Sequence, residues 1–175
     1  MIQRLVRVCA AILLVGAGVR LLIVDPYRGN LAAKEFRLLT DRALRESSRP
    51  TRTRTAAQSV TSLRRELRHN PHDARLHLLT AANLRILRRE QQAIVHYERA
   101  LKTERRPEIF YNLGLAEVAS GRREEGIGHL VAASMFNPWI LSVDLQHSRP
   151  DLFREVASIV EAKVAAAEAR ASRNS

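Results

Sequence analysis

The chain has 175 residues, enough for one small domain with extensions and too few for two enzymatic domains. Aromatic residues make up 5% of it and the apolar content is mostly Ala, Leu and Val, a composition of stacked helices rather than of a β-sandwich. The formal charge of +11 is almost wholly arginine, lysine standing only at 34, 102 and 163; it favours acidic partners of any kind and selects none of them.

Residues 1–24 read as a membrane or export segment. Val8 to Val19 is an unbroken run of 12 uncharged residues, preceded by Arg4 and Arg7 and followed by Arg20 and then Leu21 to Val24. Taken from Leu5 to Val24 it has roughly the 20 residues that a spanning helix needs. Arg7 and Arg20 then lie near opposite ends, where long side chains reach the headgroups. The expectation is an uncleaved transmembrane anchor that meets the membrane through residues 5–24; a cleaved signal peptide, cut at Val15-Gly16-Ala17, and a buried core helix are the alternatives. Cys9, the only cysteine, lies in this run, so no disulfide forms within one chain. Basic residues flank both sides and the positive-inside rule gives no clear vote. Long C-terminal domains translocate largely regardless of charge, so the expected topology is a single-pass membrane protein with an extracytoplasmic, in two-membrane cells periplasmic, C-terminal domain.

Asp25-Pro26-Tyr27-Arg28-Gly29-Asn30 is an exit turn. Leu31, Phe36, Leu39, Ala43 and Leu44 recur at three-to-four spacing and predict an amphipathic helix to about Glu46. Ser47 to Thr55 is polar and basic, broken by Pro50, and is expected as a solvated loop. A second helix is predicted over 56–69, with Val60, Leu63 and Leu67 facing inward, ending before Asn70-Pro71. Residues 31–71 are thus read as a divergent helical hairpin.

From Asn70 to Trp139 two helix-turn-helix units recur at a spacing of 33 residues: Ala81, Ala93 and Ala100 return as Gly114, Gly126 and Ala133. A period of that size marks a solenoid, whose units bury their apolar faces by stacking on one another. Counted from Ala74 and Pro107, the units resemble tetratricopeptide repeats, whose pattern wants small residues at 8, 20 and 27, aromatics near 4 and 24, and Pro at 32. Phe110, Leu113, Gly114, Gly126, Ala133 and Pro138 fall at 4, 7, 8, 20, 27 and 32 of the second unit. Ala81, Leu84, Ala93, Tyr97 and Ala100 fall at 8, 11, 20, 24 and 27 of the first, which departs from the pattern with His77 at 4 and Arg105 at 32. The resemblance spans residues 72–139, about 40% of the chain. It implies small residues where the two helices of each hairpin cross, and an aromatic at 24 filling the gap beside them. The fold class is therefore all-α: an N-terminal transmembrane helix, then a short TPR-like α-solenoid with a C-terminal capping helix.

After Trp139 a turn region is expected over 141–150, then the capping helix over 150–170, N-capped by Asp151 and striped by Leu152, Phe153, Val156, Ile159, Val160 and Val164. Residues 171–175 are expected as a flexible tail.

The chain offers little catalytic chemistry. Gly16-Ala17-Gly18 lacks the strand-helix setting of a phosphate loop. Ser134, Ser142 and Ser148 have no base partner, and Glu124-Glu125 beside Arg122-Arg123 reads as a solvated turn. No catalytic residue, cofactor or metal is assigned and the protein is read as not an enzyme. His69, His72 and His77 with Asp73 fall close together, yet Asn70-Pro71 separates them and His77 holds a packing position; His96, His129 and His147 have no paired spacing.

What remains is a groove. The resemblance implies that positions 2, 5, 9 and 12 of each first helix face the ligand: Arg75, Leu78, Ala82 and Arg85, then Glu108, Tyr111, Leu115 and Val118, with Asn112 at position 6. Such a strip, apolar with two guanidinium groups, suits a short helix or extended segment carrying Leu or Val and an acidic residue. The family's carboxylate clamp wants Lys and Asn where Leu78 and Ala82 stand, so that clamp is absent although Asn112 fits its third element. The functional expectation is a membrane-tethered adaptor or scaffold for a protein partner in an envelope complex, with self-association through the same face as a further option. The alternative is a basic domain binding an acidic polymer, anionic lipid or, less readily, nucleic acid through Arg49, Arg52, Arg54, Arg64, Arg65 and Arg68.

Overall fold

In the computed structural model the described residues are 48–141 and 143–172, preceded by 37, 38, 40 and 45. They form seven helices, one short 3-10 turn and no strand: α1 (Arg49–His69), α2 (Ala74–Ile86), α3 (Glu90–Thr103), α4 (Pro107–Ala119), α5 (Arg123–Phe136), the turn Pro138–Ile140, α6 (Val143–Ser148) and α7 (Pro150–Ala171).

The membrane expectation is corrected. α1 and α7 have the length of a spanning helix, but charged side chains run from one end of each to the other, Arg49 to Arg68 and Asp151 to Arg170. Among the described residues no helix is long and apolar enough to cross a membrane, which overturns the single-pass architecture with its extracytoplasmic domain. Residues 1–24, to which the sequence assigns the anchor, lie outside the described residues, as does most of the helix expected before Glu46.

The basic stretch around Pro50 is helix, not loop. Pro50 falls in the first turn of α1, where a missing N–H leaves no bond unmade and the fixed φ suits the helix. Ala56, Ser59, Val60 and Leu63, one stripe at helical spacing, are buried against α2. Pro71 disfavours helical geometry at Asn70 and ends α1 there. Asp73 then caps α2, its carboxylate accepting from the backbone N–H of Arg75 at 2.8 Å and of Leu76 at 3.2 Å.

The helices pack in sequence: α2 against α3, α3 against α4, α4 against α5, with α1 on α2 and α7 on α5 and α6. This is an α-solenoid-like stack of hairpins. Its central cluster gathers Leu84, Ala93, Ile94, Tyr97, Ile109 and Leu113. Tyr97 is wholly buried there; burial pushes its phenol up to about 12, the Arg85 guanidinium pulling the other way. A second cluster joins Ile127, Leu130 and Val131 of α5 to Leu145 of α6 and Leu152 and Val156 of α7. The region expected as a turn over 141–150 thus contains α6. Asp151 is not the cap of α7 but lies inside its first turn, bonded to Arg154, and Arg149 precedes the helix without a side-chain cap. Val164, assigned to the stripe, is 41% exposed, because α7 has passed beyond the body by that turn.

The 33-residue recurrence is visible in the backbone. Between α2 and α3 the Arg89 N–H reaches the Leu84 carbonyl at 2.9 Å, and between α4 and α5 the Arg122 N–H reaches the Glu117 carbonyl at 2.9 Å. The left-handed residue of these turns is Arg88, φ 58°, in the first and Gly121, φ 90°, in the second. At the crossing of α4 and α5, a Cβ on Gly114 would stand 2.6 Å from the Gly126 carbonyl oxygen, and one on Gly126 2.7 Å from that of Gly114. In the first hairpin Ala81 and Ala93 hold the same places, both fully buried.

In the charge run 122–125, Arg123, Glu124 and Glu125 are exposed, whereas Arg122 is half-buried. The Arg122 guanidinium reaches back to the carboxylate of Glu117, which is fully buried in α4, at 3.3 Å, and His129 Nδ1 lies 2.6 Å from the same carboxylate. Arg122 lies 3.4 Å from Glu125 as well, and 3.9 Å from Glu98 of α3.

Two sets of substitutions test this packing by urea denaturation. Gly114→Ala and Gly126→Ala each lose about 1–3 kcal/mol by overpacking, whereas Gly128→Ala on the same helix, with nothing within 4 Å of the added Cβ, gains close to the ~1 kcal/mol of helix propensity. In the turns, Arg88→Gly relieves a left-handed backbone and raises stability by up to about 1 kcal/mol, while Gly121→Ala lowers it by about 1–2 kcal/mol.

Candidate functional site

The first helices of the two hairpins, α2 and α4, touch each other across the stack. Their expected groove residues do not share one environment. Arg75 is exposed, near Asp73 at 3.8 Å, and Glu108 is exposed, paired with Arg106 at 3.4 Å. Leu78 is half-buried against the central cluster and Ala82 half-exposed beside it. Arg85 is tied down: its guanidinium lies 3.5 Å from Glu90 and 3.4 Å from the Asn112 side-chain oxygen, a link from α2 to α4. The Asn112 amide in turn donates to the Glu108 carbonyl at 2.8 Å. Tyr111, Leu115 and Val118 are half-buried and pack on the C-terminal cluster. The α2 part of the face is thus the more open, and the apolar strip of α4 is largely engaged within the chain.

The six arginines assigned to a basic patch all lie on α1 and the helix divides them. Arg54 and Arg65, about three turns apart, lie on the solvent side. Arg49 and Arg52 line a cavity with Thr53, Ile86, Leu87 and Arg88. Arg64 and Arg68 line a different one, together with Leu67, Pro71, His77, His96 and Arg99. Arg49, Arg54, Arg64, Arg65 and Arg68 are all exposed, and Arg52 is half-buried.

The histidines regroup as well. His77 turns away from the exposed His69 and His72 and meets His96 of α3, their Nδ1 atoms 2.9 Å apart. The Pro71 carbonyl can only accept, so His77 Nε2–H donates to it at 3.0 Å; His77 Nδ1 is then the acceptor of a proton carried on His96 Nδ1. Burial, with Arg99 adding to it, lowers His77 despite its bond to Pro71 and the nearby Asp73 carboxylate. His96 is lowered further, to about 4, by burial first and then by His77, Arg99 and Arg64. Both rings are neutral near pH 7 and hold α2 to α3. Sequence spacing concealed this pair, which joins residues 19 apart on two helices; the only signal was that both stand in packing positions of their helices. Among the described residues no group of three or more His, Cys, Asp or Glu is placed to hold a metal ion.

Compared with known proteins, the chain matches no family model, no curated protein and no solved structure. Fold and site define it as a small arginine-rich protein of stacked helical hairpins.

The neutral histidine pair makes folding pH-dependent. The unfolded chain takes up protons near pH 6.5 that both folded rings resist, His96 until about 4, so stability is full above 6.5 and falls as the pH drops below it. The charged and titratable groups that face the pair are Arg64 of α1, Arg99 of α3, and Asp73 and His72 ahead of α2. Urea midpoints measured from pH 8 to pH 4 show this slope, and His96→Gln removes most of it.

Proposed function

We propose that the protein is an adaptor of the tetratricopeptide-repeat kind, in which successive hairpins present their first helices to a segment of a partner protein. Support comes from the matching turns at Arg88 and Gly121, from the small residues at the crossings, and above all from the juxtaposition of α2 and α4, joined through Arg85 and Asn112. On that face Arg75 and Ala82 are accessible from α2 and Glu108 from α4. Trp139, 89% exposed just beyond α5, offers the kind of aromatic anchor enriched at interface hot spots. A partner segment with an acidic residue opposite Arg75 and a small apolar residue over Ala82 fits this chemistry. The reading assigns no catalytic step to the chain.

A photoreactive amino acid placed at Arg75, Ala82 or Glu108 of the full-length chain tests this reading. In its native cells each position is expected to capture one and the same protein, which captures the chain in return, while Val95 and Gly128 on the second helices capture none. Labelling spread equally over all five positions, or absent from the first three, overturns the assignment.

A further inference from the structure

The junction of α1, α2 and α3 forms an open pocket of about 300 Å³, the low end of the size of small-ligand sites. Three guanidinium groups border it, Arg64 and Arg68 from α1 and Arg99 from α3, and no carboxylate does. Arg64 donates to the neutral side-chain oxygen of Gln92 at 3.1 Å. Among the described residues neither Arg68 nor Arg99 has an ion-pair partner, although the chain pairs its arginines elsewhere, at 75, 85, 106, 122, 123 and 154. Asp73, whose carboxylate acts on His77, is engaged by the cap of α2 and by Arg75. The His77–His96 pair closes one wall. Its proton arrangement leaves a single ring nitrogen uncommitted, His96 Nε2, which becomes a donor when the ring is protonated.

We propose that this cavity is an oxyanion site that takes a phosphate group, with Arg64, Arg68 and Arg99 as its ligands and His96 as a proton-linked fourth donor. Guanidinium forks match the oxygens of a tetrahedral anion, and three of them without counter-charge make the cavity hostile to cations. Leu67 and Pro71 supply the apolar part of its lining, and the pocket is open enough for an ion to enter from solvent. An anion seated there supplies the negative charge that His96 lacks, so binding raises the ring's affinity for a proton and is itself tighter at lower pH. The groups that set this linkage are Arg64 and Arg68 from α1, His72 and Asp73 from the connection, His77 from α2, and Arg99 and Gln92 from α3. The site lies apart from the α2–α4 groove positions and does not depend on the adaptor reading.

Calorimetric titration of the full chain with inorganic phosphate, at ionic strength held constant with chloride, tests the site; phosphoserine in a parallel titration distinguishes a free ion from a phosphate ester. Saturable 1:1 binding is expected, weakened about tenfold or more by Arg99→Gln or Arg64→Gln and unchanged by Arg54→Gln on the solvent side of α1. Sulfate, whose charge is constant between pH 5 and 8, reads the proton linkage: its affinity rises as the pH falls, and His96→Gln abolishes that rise while leaving binding at pH 8 intact. No saturation, or equal weakening by Arg54→Gln, shows a diffuse ionic atmosphere and overturns the site. Unchanged pH dependence in His96→Gln removes the histidine from it.

Discussion

Two helices can bring their backbones together only where no side chain stands between them. Gly114 and Gly126 make that contact between α4 and α5, each occupying the space that the other's Cβ would need. Because the contact is backbone to backbone, it has no flexible side chain to yield and fixes the crossing as a rigid point. The other spatial relations follow from it. Leu113 and Ala116, on the same helix, are carried into the central cluster, and Leu130 and Val131 into the C-terminal one, so the crossing links the two halves of the core.

The same hairpin holds an acid where its counterpart holds a hydrocarbon. Leu84 in the first unit is matched by Glu117 in the second, and both are fully buried. A buried carboxylate is tolerable only with its charge answered, and here the Arg122 guanidinium answers it while His129 Nδ1 lies within hydrogen-bonding distance of its other oxygen. The result is a directional lock between α4 and α5 that an apolar side chain would not give. Arg122 extends the same network to Glu98, so the second hairpin is joined to α3 by charge as well as by packing.

Local rules made much of the helical stack legible. Apolar periodicity marks the helices, the recurrence of small residues marks where they cross, and Asn70-Pro71 marks a true end, because proline acts on the residue before it. Pro50 misled for the complementary reason: the same ring that ends a helix also starts one, and composition alone does not say which side of it the helix lies on. The membrane reading rested on the uncharged run 8–19 within residues 1–24, and no described helix is long and apolar enough to cross a membrane. The site was less legible than the fold. Groove positions can be counted along a helix, yet what covers Tyr111, Leu115 and Val118 is decided by α6 and α7, some thirty residues downstream. Likewise His77 and His96, or Arg64 and Arg99, belong to one place only after three helices have packed, and no spacing within one helix encodes that.

The last turns of α7 hold a different consequence. Residues 161–171 are all exposed, a rod of about 16 Å at 1.5 Å per residue that buries no side chain against the other described helices. Its helical state draws on alanine propensity rather than on buried side chains and is therefore a matter of marginal, temperature-sensitive balance. Warming uncoils this end gradually while the hairpins hold until they yield together, so one chain combines a helix that melts by degrees with a body that melts all at once.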